Sequence, residues 1–170
     1  SNICEILKNN SLKNPNKVLY RFHNSKAEIL NNATYIKVYN KSLIIANNLL
    51  SKKYRCKKGD RVIICFPSGI EYMITFFGCI LAGIIPIPVY PPNPNKFSED
   101  IIKLNKIVKD CNAKYIIVDN TLNKYYFFQK IKNIRKCPSI KWIKYNKFKK
   151  LLRNVSFPDI DKNTIAFIQY

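Results

Sequence analysis

Residues 59–94 limit the possible folds of this chain more than any other stretch, because they read in order as strand, helix and strand. Residues 61–66 form a short apolar, β-branched run that stops at Pro67. A run so short and so free of polar positions suits a strand covered on both faces. Ser68 and Glu71 have the spacing of a capping box, which predicts a helix beginning at once. Met73, Ile74, Phe76, Phe77, Ile80 and Leu81 leave that helix little polar surface, so it is expected to be enclosed on most sides. Gly83 is expected to close it in the left-handed conformation. Residues 84–90 then resume an extended apolar run. Two strands joined by such a helix must lie parallel, with a right-handed crossover.

The flanking sequence adds elements of the same kind. Residues 3–8 suggest a short helix, Asn14-Pro15-Asn16 a turn, and residues 18–22 a strand. Thr34 is a candidate N-cap for a helix whose Tyr35, Val38, Tyr39, Ile45, Leu49 and Leu50 share an apolar face. After the proline-rich connection of residues 90–96, Ser98 is expected to cap a helix. Its Glu99 and Asp100 favour the positive helix end, while Ile101, Leu104, Val108 and Cys111 recur at helical spacing. Residues 115–118 and 140–143 read as strands. Residues 122–132 and 147–153 read as helices. The expected fold class is α/β, a parallel or mixed sheet with flanking helices in one domain of 170 residues.

Composition removes several function classes. The single histidine, His23, excludes a histidine-based triad and a multi-histidine metal site within this segment. Six cysteines, at positions 4, 56, 65, 79, 111 and 137, form no Cys-x-x-Cys pair. Structural zinc is therefore not expected. Cys65 and Cys79 sit in apolar runs as small hydrophobes, which points to a reducing, cytoplasmic setting. The apolar run of residues 74–89 falls short of the roughly 18 to 20 residues that span a bilayer and is broken by Pro86 and Pro88. No transmembrane segment is expected. The opening at Ser1 reads as the start of a processed or excised segment without a secretory signal.

The formal charge of +20, from 30 Lys and Arg against 10 Asp and Glu, raises the question of polyanion binding. The lysines are scattered among asparagine, isoleucine and tyrosine, which reads as dispersed surface charge with no specific nucleic-acid partner. The one patch worth weighing is residues 141–150, which interleave cations with aromatics. If they cluster with other lysines, the chain reads instead as a basic module for nucleic acid or an anionic surface.

The central stretch also resembles the adenylate-forming, AMP-binding superfamily of acyl-CoA synthetases, and within it the fatty acyl-AMP ligases. The resemblance rests on Gly59-Asp60-Arg61-Val62, Pro67 with Glu71, Phe76-Phe77-Gly78-Cys79 and Ala82-Gly83. Val89-Tyr90-Pro91-Pro92 carries the likeness to the fatty acyl-AMP ligase branch. Thr34-Tyr35 is similar to the family's Thr-Tyr-x-Glu-Leu, although Lys37 and Val38 depart from its last two positions. Ile107, Asp110 and Ala113, leading into residues 115–118, resemble a further family segment. Asp110 itself reads as a structural helix-end residue.

The resemblance implies that residues 1–170 are the N-terminal portion of an adenylation domain, with residues 161–170 leading towards a Thr-Ser-Gly-Ser-Thr phosphate loop. It also implies a fatty acid substrate, ATP and Mg²⁺, and coenzyme A or a carrier protein as acyl acceptor. The remainder of the adenylation domain is the other expected partner. The four glycines, at 59, 69, 78 and 83, form neither a Walker pattern nor a Gly-x-Gly-x-x-Gly turn. No catalytic, cofactor-binding or metal-binding residue is therefore assigned within this segment, which is expected to be inactive alone. An inactive relative of the ligases remains a further reading.

Overall fold

The computed structural model describes residues 2–120, 137–150, 156–161 and 163–170. Its centre is a four-stranded parallel sheet. β3 (Arg61–Cys65) pairs with β4 (Ile85–Val89) on one side and β5 (Tyr115–Val118) on the other, and β5 pairs with β6 (Lys141–Lys144), in the order β4-β3-β5-β6. The connection from β3 to β4 is α3 (Ile70–Leu81), as the sequence predicts.

Alternation along β3 assigns the two faces. Val62 and Ile64 join a core with α1 (Ile3–Lys13), α2 (Tyr35–Leu50) and α3. Ile63 and Cys65 join a second core with Ile116, Val118 and α4 (Phe97–Asp110), whose Phe97, Ile101, Leu104 and Val108 are buried. A sheet buried on both faces leaves little room for polar side chains in its inner strands, which is why β3 is apolar and buried from Val62 to Cys65, with only Arg61 at its start polar and half-buried. Pro86 and Pro88 fall in β4, at the end of the strand order, where missing amides break no inner ladder.

Local signals explain most boundaries. Thr34 caps α2, its hydroxyl accepting from the Lys37 amide at 3.4 Å. Val38, Ile45 and Leu49 are buried along the expected face. At the end of α3 the Ile84 amide donates to the Cys79 carbonyl and the Gly83 amide to the Ile80 carbonyl, with Gly83 at φ +66°. These two bonds are the Schellman closure expected of that glycine. Asn112, at φ +49°, closes α4 in the same way.

Other expectations are corrected. Ser68 and Glu71 form no capping box: α3 has Gly69 at its N-cap and no side-chain cap bond, which places Glu71 one residue too early to reach back. Ser98 lies inside α4, because the chain turns helical sooner. Asn93 accepts from the Asn95 amide at 2.8 Å, Pro94 starts a 3-10 turn through Lys96, and α4 follows directly. The chain does not enter a helix at Lys147. Tyr145–Lys147 is a single 3-10 turn, after which Phe148 is extended and buried against Tyr54, with ring centroids 5.6 Å apart. The rest of that expected helix, residues 151–153, and the expected helix over 122–132 lie outside the described residues. The first helix is longer than expected and carries the capping box that α3 lacks, between Asn2 and Glu5.

β1 (Val18–His23) and β2 (Ile29–Thr34) form a separate antiparallel pair that the sequence only half shows, since β2 is mostly exposed and its apolar residues do not alternate with polar ones. His23 ends β1, its Nδ1 3.0 Å from the Ala27 carbonyl in the hairpin turn. Residues 165–170 are described without regular structure. The Ile168 amide donates to the Pro86 carbonyl at 3.2 Å, and Phe167 lies against Phe76 at 5.7 Å, so this segment runs beside β4. Among the described residues no helix is long and apolar enough to cross a membrane.

Candidate functional site

Parallel pairing gathers the C-terminal ends of all four strands at one edge of the sheet. In open α/β sheets that edge is where ligands bind, because connections diverge there and leave a crevice. Four segments meet at it: Phe66-Pro67-Ser68-Gly69 after β3, Tyr90-Pro91-Pro92-Asn93 after β4, Asp119-Asn120 after β5, and Tyr145 after β6.

The segment after β4 is held rigidly. Its consecutive prolines fix the backbone. The Asn93 amide donates to Asp100 Oδ2 at 2.9 Å, and this bond is the main cause holding the Asp100 carboxyl below its ordinary range. Lys103 Nζ lies 3.5 Å from the other carboxylate oxygen. Tyr90 stands 76% exposed between two hollows. One, of about 510 Å³, lies between Pro67, Tyr90, Pro91, Pro92 and the α4 residues Leu104 and Ile107. The other, of about 350 Å³, lies between Phe66, Ser68, Tyr72, Tyr90 and Tyr170. The first is largely apolar in its lining, whereas the second mixes apolar with polar surface from Ser68, Gln169 and the tyrosines.

Behind these hollows the edge is acidic and partly buried. Burial raises the Glu71 carboxyl above its usual range; Asp119 adds to the shift and Lys41 opposes it. Burial also pushes the Tyr145 hydroxyl up to about 12, with Glu71 contributing. The Tyr145 ring packs edge-on against Phe66 at 6.2 Å. Cys65 at the end of β3 is pushed up to about 12 by burial and then by Asp119. The Tyr145 phenol and the Cys65 thiol therefore stay protonated near pH 7, which suits a scaffold better than a nucleophile and its base.

Asp110 ends α4 and accepts from the Tyr170 hydroxyl, a tie between α4 and the segment beside β4. His23 belongs to the hairpin and not to this edge. Among the described residues no three His, Cys, Asp or Glu side chains come together in a way that could hold a metal ion. Among the described residues no glycine-rich turn faces the edge, so the donors described there do not by themselves fit the phosphates of ATP or a magnesium ion. Sequence reasoning found the Tyr90-Pro91-Pro92 wall but not the grouping of Glu71, Asp119 and Tyr145, which come from three different connections.

A parallel sheet clothed by helices on both faces, with its strand ends opening on a proline-walled crevice, matches the N-terminal domain of adenylate-forming enzymes. The chain belongs to the AMP-binding enzyme family, which it matches over residues 7–170. It is 26% identical over 179 aligned residues to the medium-chain-fatty-acid–[acyl-carrier-protein] ligase JamA of Moorena producens, covering 100% of this chain and 28% of that protein. It is 30% identical over 120 residues to Disco-interacting protein 2 homolog B of Homo sapiens, covering 71% of this chain and 8% of that protein. Among solved structures, the fatty acyl-adenylate ligase from L. pneumophila in complex with acyl adenylate and pyrophosphate superposes with a TM-score of 0.75 at 25% identity, over 98% of this chain and 27% of that one. The chain thus spans under a third of the length of these relatives.

Proposed function

We propose that this chain is the N-terminal scaffold, residues 1–170, of an adenylation domain that activates a fatty acid. In the reaction, a carboxylate oxygen of the fatty acid attacks the α-phosphorus of ATP, the bond to pyrophosphate breaks, and acyl-adenylate forms. A thiol of coenzyme A or of a carrier protein then attacks the acyl carbon and AMP leaves. Magnesium would neutralise the phosphate charge that develops in the first step. The residues of this segment hold the crevice wall and donate no catalytic group. The phosphate loop and the catalytic cation belong to the remainder of the domain. One observation carries this reading: likeness to fatty acyl-adenylate ligases runs over essentially the whole chain rather than over one motif.

The test is fatty acid-dependent exchange of labelled pyrophosphate into ATP. The full natural protein is expected to exchange, and residues 1–170 alone to remain at background, since positioning and charge stabilisation both need the remainder. Exchange by residues 1–170 would refute the scaffold assignment. A folded full protein that fails with short, medium and long fatty acids would favour an inactive relative. Thioester formation, measured with coenzyme A and with a carrier protein in separate reactions, identifies the acceptor. The same proposal puts the protein in the cytoplasm, supported by six free cysteines and tested by cell fractionation.

A further inference from the structure

The sheet edge opposite the crevice joins one basic run, residues 52–58, to cations far from it in sequence. Residues 52–58 carry Lys52, Lys53, Arg55, Lys57 and Lys58, all exposed, while Tyr54 and Cys56 between them are buried. Tyr54 is the hub. Lys53 Nζ lies 5.2 Å from its ring centroid and Lys141 Nζ, at the start of β6, lies 5.5 Å from it. Phe148 packs on the same ring, so Lys149 and Lys150 follow it into the group. Asn48 at the end of α2 fixes them there by donating to the Lys149 carbonyl at 2.7 Å. Lys114, before β5, donates to the Arg55 carbonyl at 2.6 Å and to Asp60 at 2.7 Å. The acidic groups nearby are few. Asp60 is engaged by Lys114, and at one rim the Asp159 carbonyl accepts from Lys58; the nearby Asp161 carboxyl is held down chiefly by the Asn163 amide and the Thr164 hydroxyl, with Lys58 adding a smaller share.

We propose that this face docks the protein on an anionic phospholipid surface. A bilayer carrying acidic headgroups presents a diffuse negative potential, which suits a set of separate lysine charges on a firm base. Base-stacking nucleic-acid sites need exposed aromatic rings. Here Tyr54 and Phe148, the aromatics at the centre, are both buried. Among the described residues the patch offers no exposed apolar side chain to insert, so the attachment proposed is electrostatic and reversed by salt.

The experiment uses the full natural protein and co-sedimentation with two vesicle compositions, phosphatidylcholine alone and phosphatidylcholine with about 30% phosphatidylserine, at ~0.1 M and ~0.5 M salt. Binding is expected only to the acidic vesicles and only at the lower salt. The variant K52Q/K57Q/K149Q removes three exposed charges and is expected to bind about 100-fold more weakly, each basic side chain near such a surface being worth about fivefold. The comparison variant K8Q/K13Q/K26Q removes the same charge from α1 and the β1–β2 turn and should bind within about threefold of the parent, because the Debye length is only ~10 Å at that salt. Equal losses in the two variants would reduce the effect to net charge and overturn the proposal. So would absence of vesicle binding, or tighter binding to a single-stranded oligonucleotide that the first variant alone loses. Unchanged thermal midpoints confirm that all variants are folded.

Discussion

Gly78 of α3 and Ile45 of α2 meet where the two helices cross: a Cβ on Gly78 would lie 2.5 Å from Ile45 Cβ and 3.0 Å from the Ser42 carbonyl. The helices approach so closely that Ser42 Oγ donates to the Ile74 carbonyl at 3.0 Å within the core. Gly78→Ala is therefore expected to push the helices apart, lowering stability by roughly 1 to 3 kcal/mol. Urea denaturation of the two proteins checks this. An unchanged midpoint would show that the crossing relaxes freely.

Gly83 combines two constraints. Its φ of +66° disfavours any side chain, and an added Cβ would meet the Pro158 ring at 2.8 Å and the Lys58 side chain at 3.2 Å. Gly83→Val should cost about 1 to 3 kcal/mol through strain and overpacking together. The same denaturation experiment reads it, and an equal midpoint at equal slope would contradict the described junction.

Asp60 separates charge from turn geometry. Its Oδ2 accepts from Lys114 Nζ at 2.7 Å and from the Lys57 amide at 2.8 Å. Both side chains of the ion pair are about a third exposed, so Asp60→Asn, which can still accept from Lys57, is expected to cost under about 1 kcal/mol. Asp60→Ala loses the turn bond as well and should cost about 1 kcal/mol more. Equal effects of the two substitutions would show that the turn bond contributes nothing.

The buried thiols predict a loss of stability in base. Burial is the largest cause in each: Cys4 is pushed up from 9.0 to about 11, Cys56 and Cys65 to about 12, and Cys79 further. Between pH 9 and pH 11 the unfolded chain gives up these protons while the folded chain keeps them. The folded state binds more protons in that window, so stability is full below pH 9 and falls as pH rises, by up to about 1.4 kcal/mol per pH unit for each thiol. Denaturation midpoints measured between pH 8 and pH 10.5 test the slope. Cys65→Ala should flatten it, and an identical slope in that variant would remove Cys65 from the cause.

The sequence by itself determined the β3-α3-β4 unit, the apolar face of α2 and the Schellman closure at Gly83. In each of these the information is local: apolar period, helix spacing, and a glycine at the one place where positive φ is required. It also supplied the family through Tyr90-Pro91-Pro92 and the segments before it. Only the tertiary structure decided how caps and charges are used. Ser68 has the letters of a capping box, yet Gly69 takes the N-cap position because the chain leaving Pro67 stays extended for one residue more. Ser98 lost its place as a cap when Asn93 and Pro94 started the turn earlier. Glu71, Asp119 and Tyr145 share an edge because parallel strands deliver their ends to the same side. Lys53 and Lys141 share the Tyr54 ring because β6 lies beside β5. Neither meeting is written in a local period, since each depends on strand order, and strand order is fixed only when the two faces of the sheet are buried together.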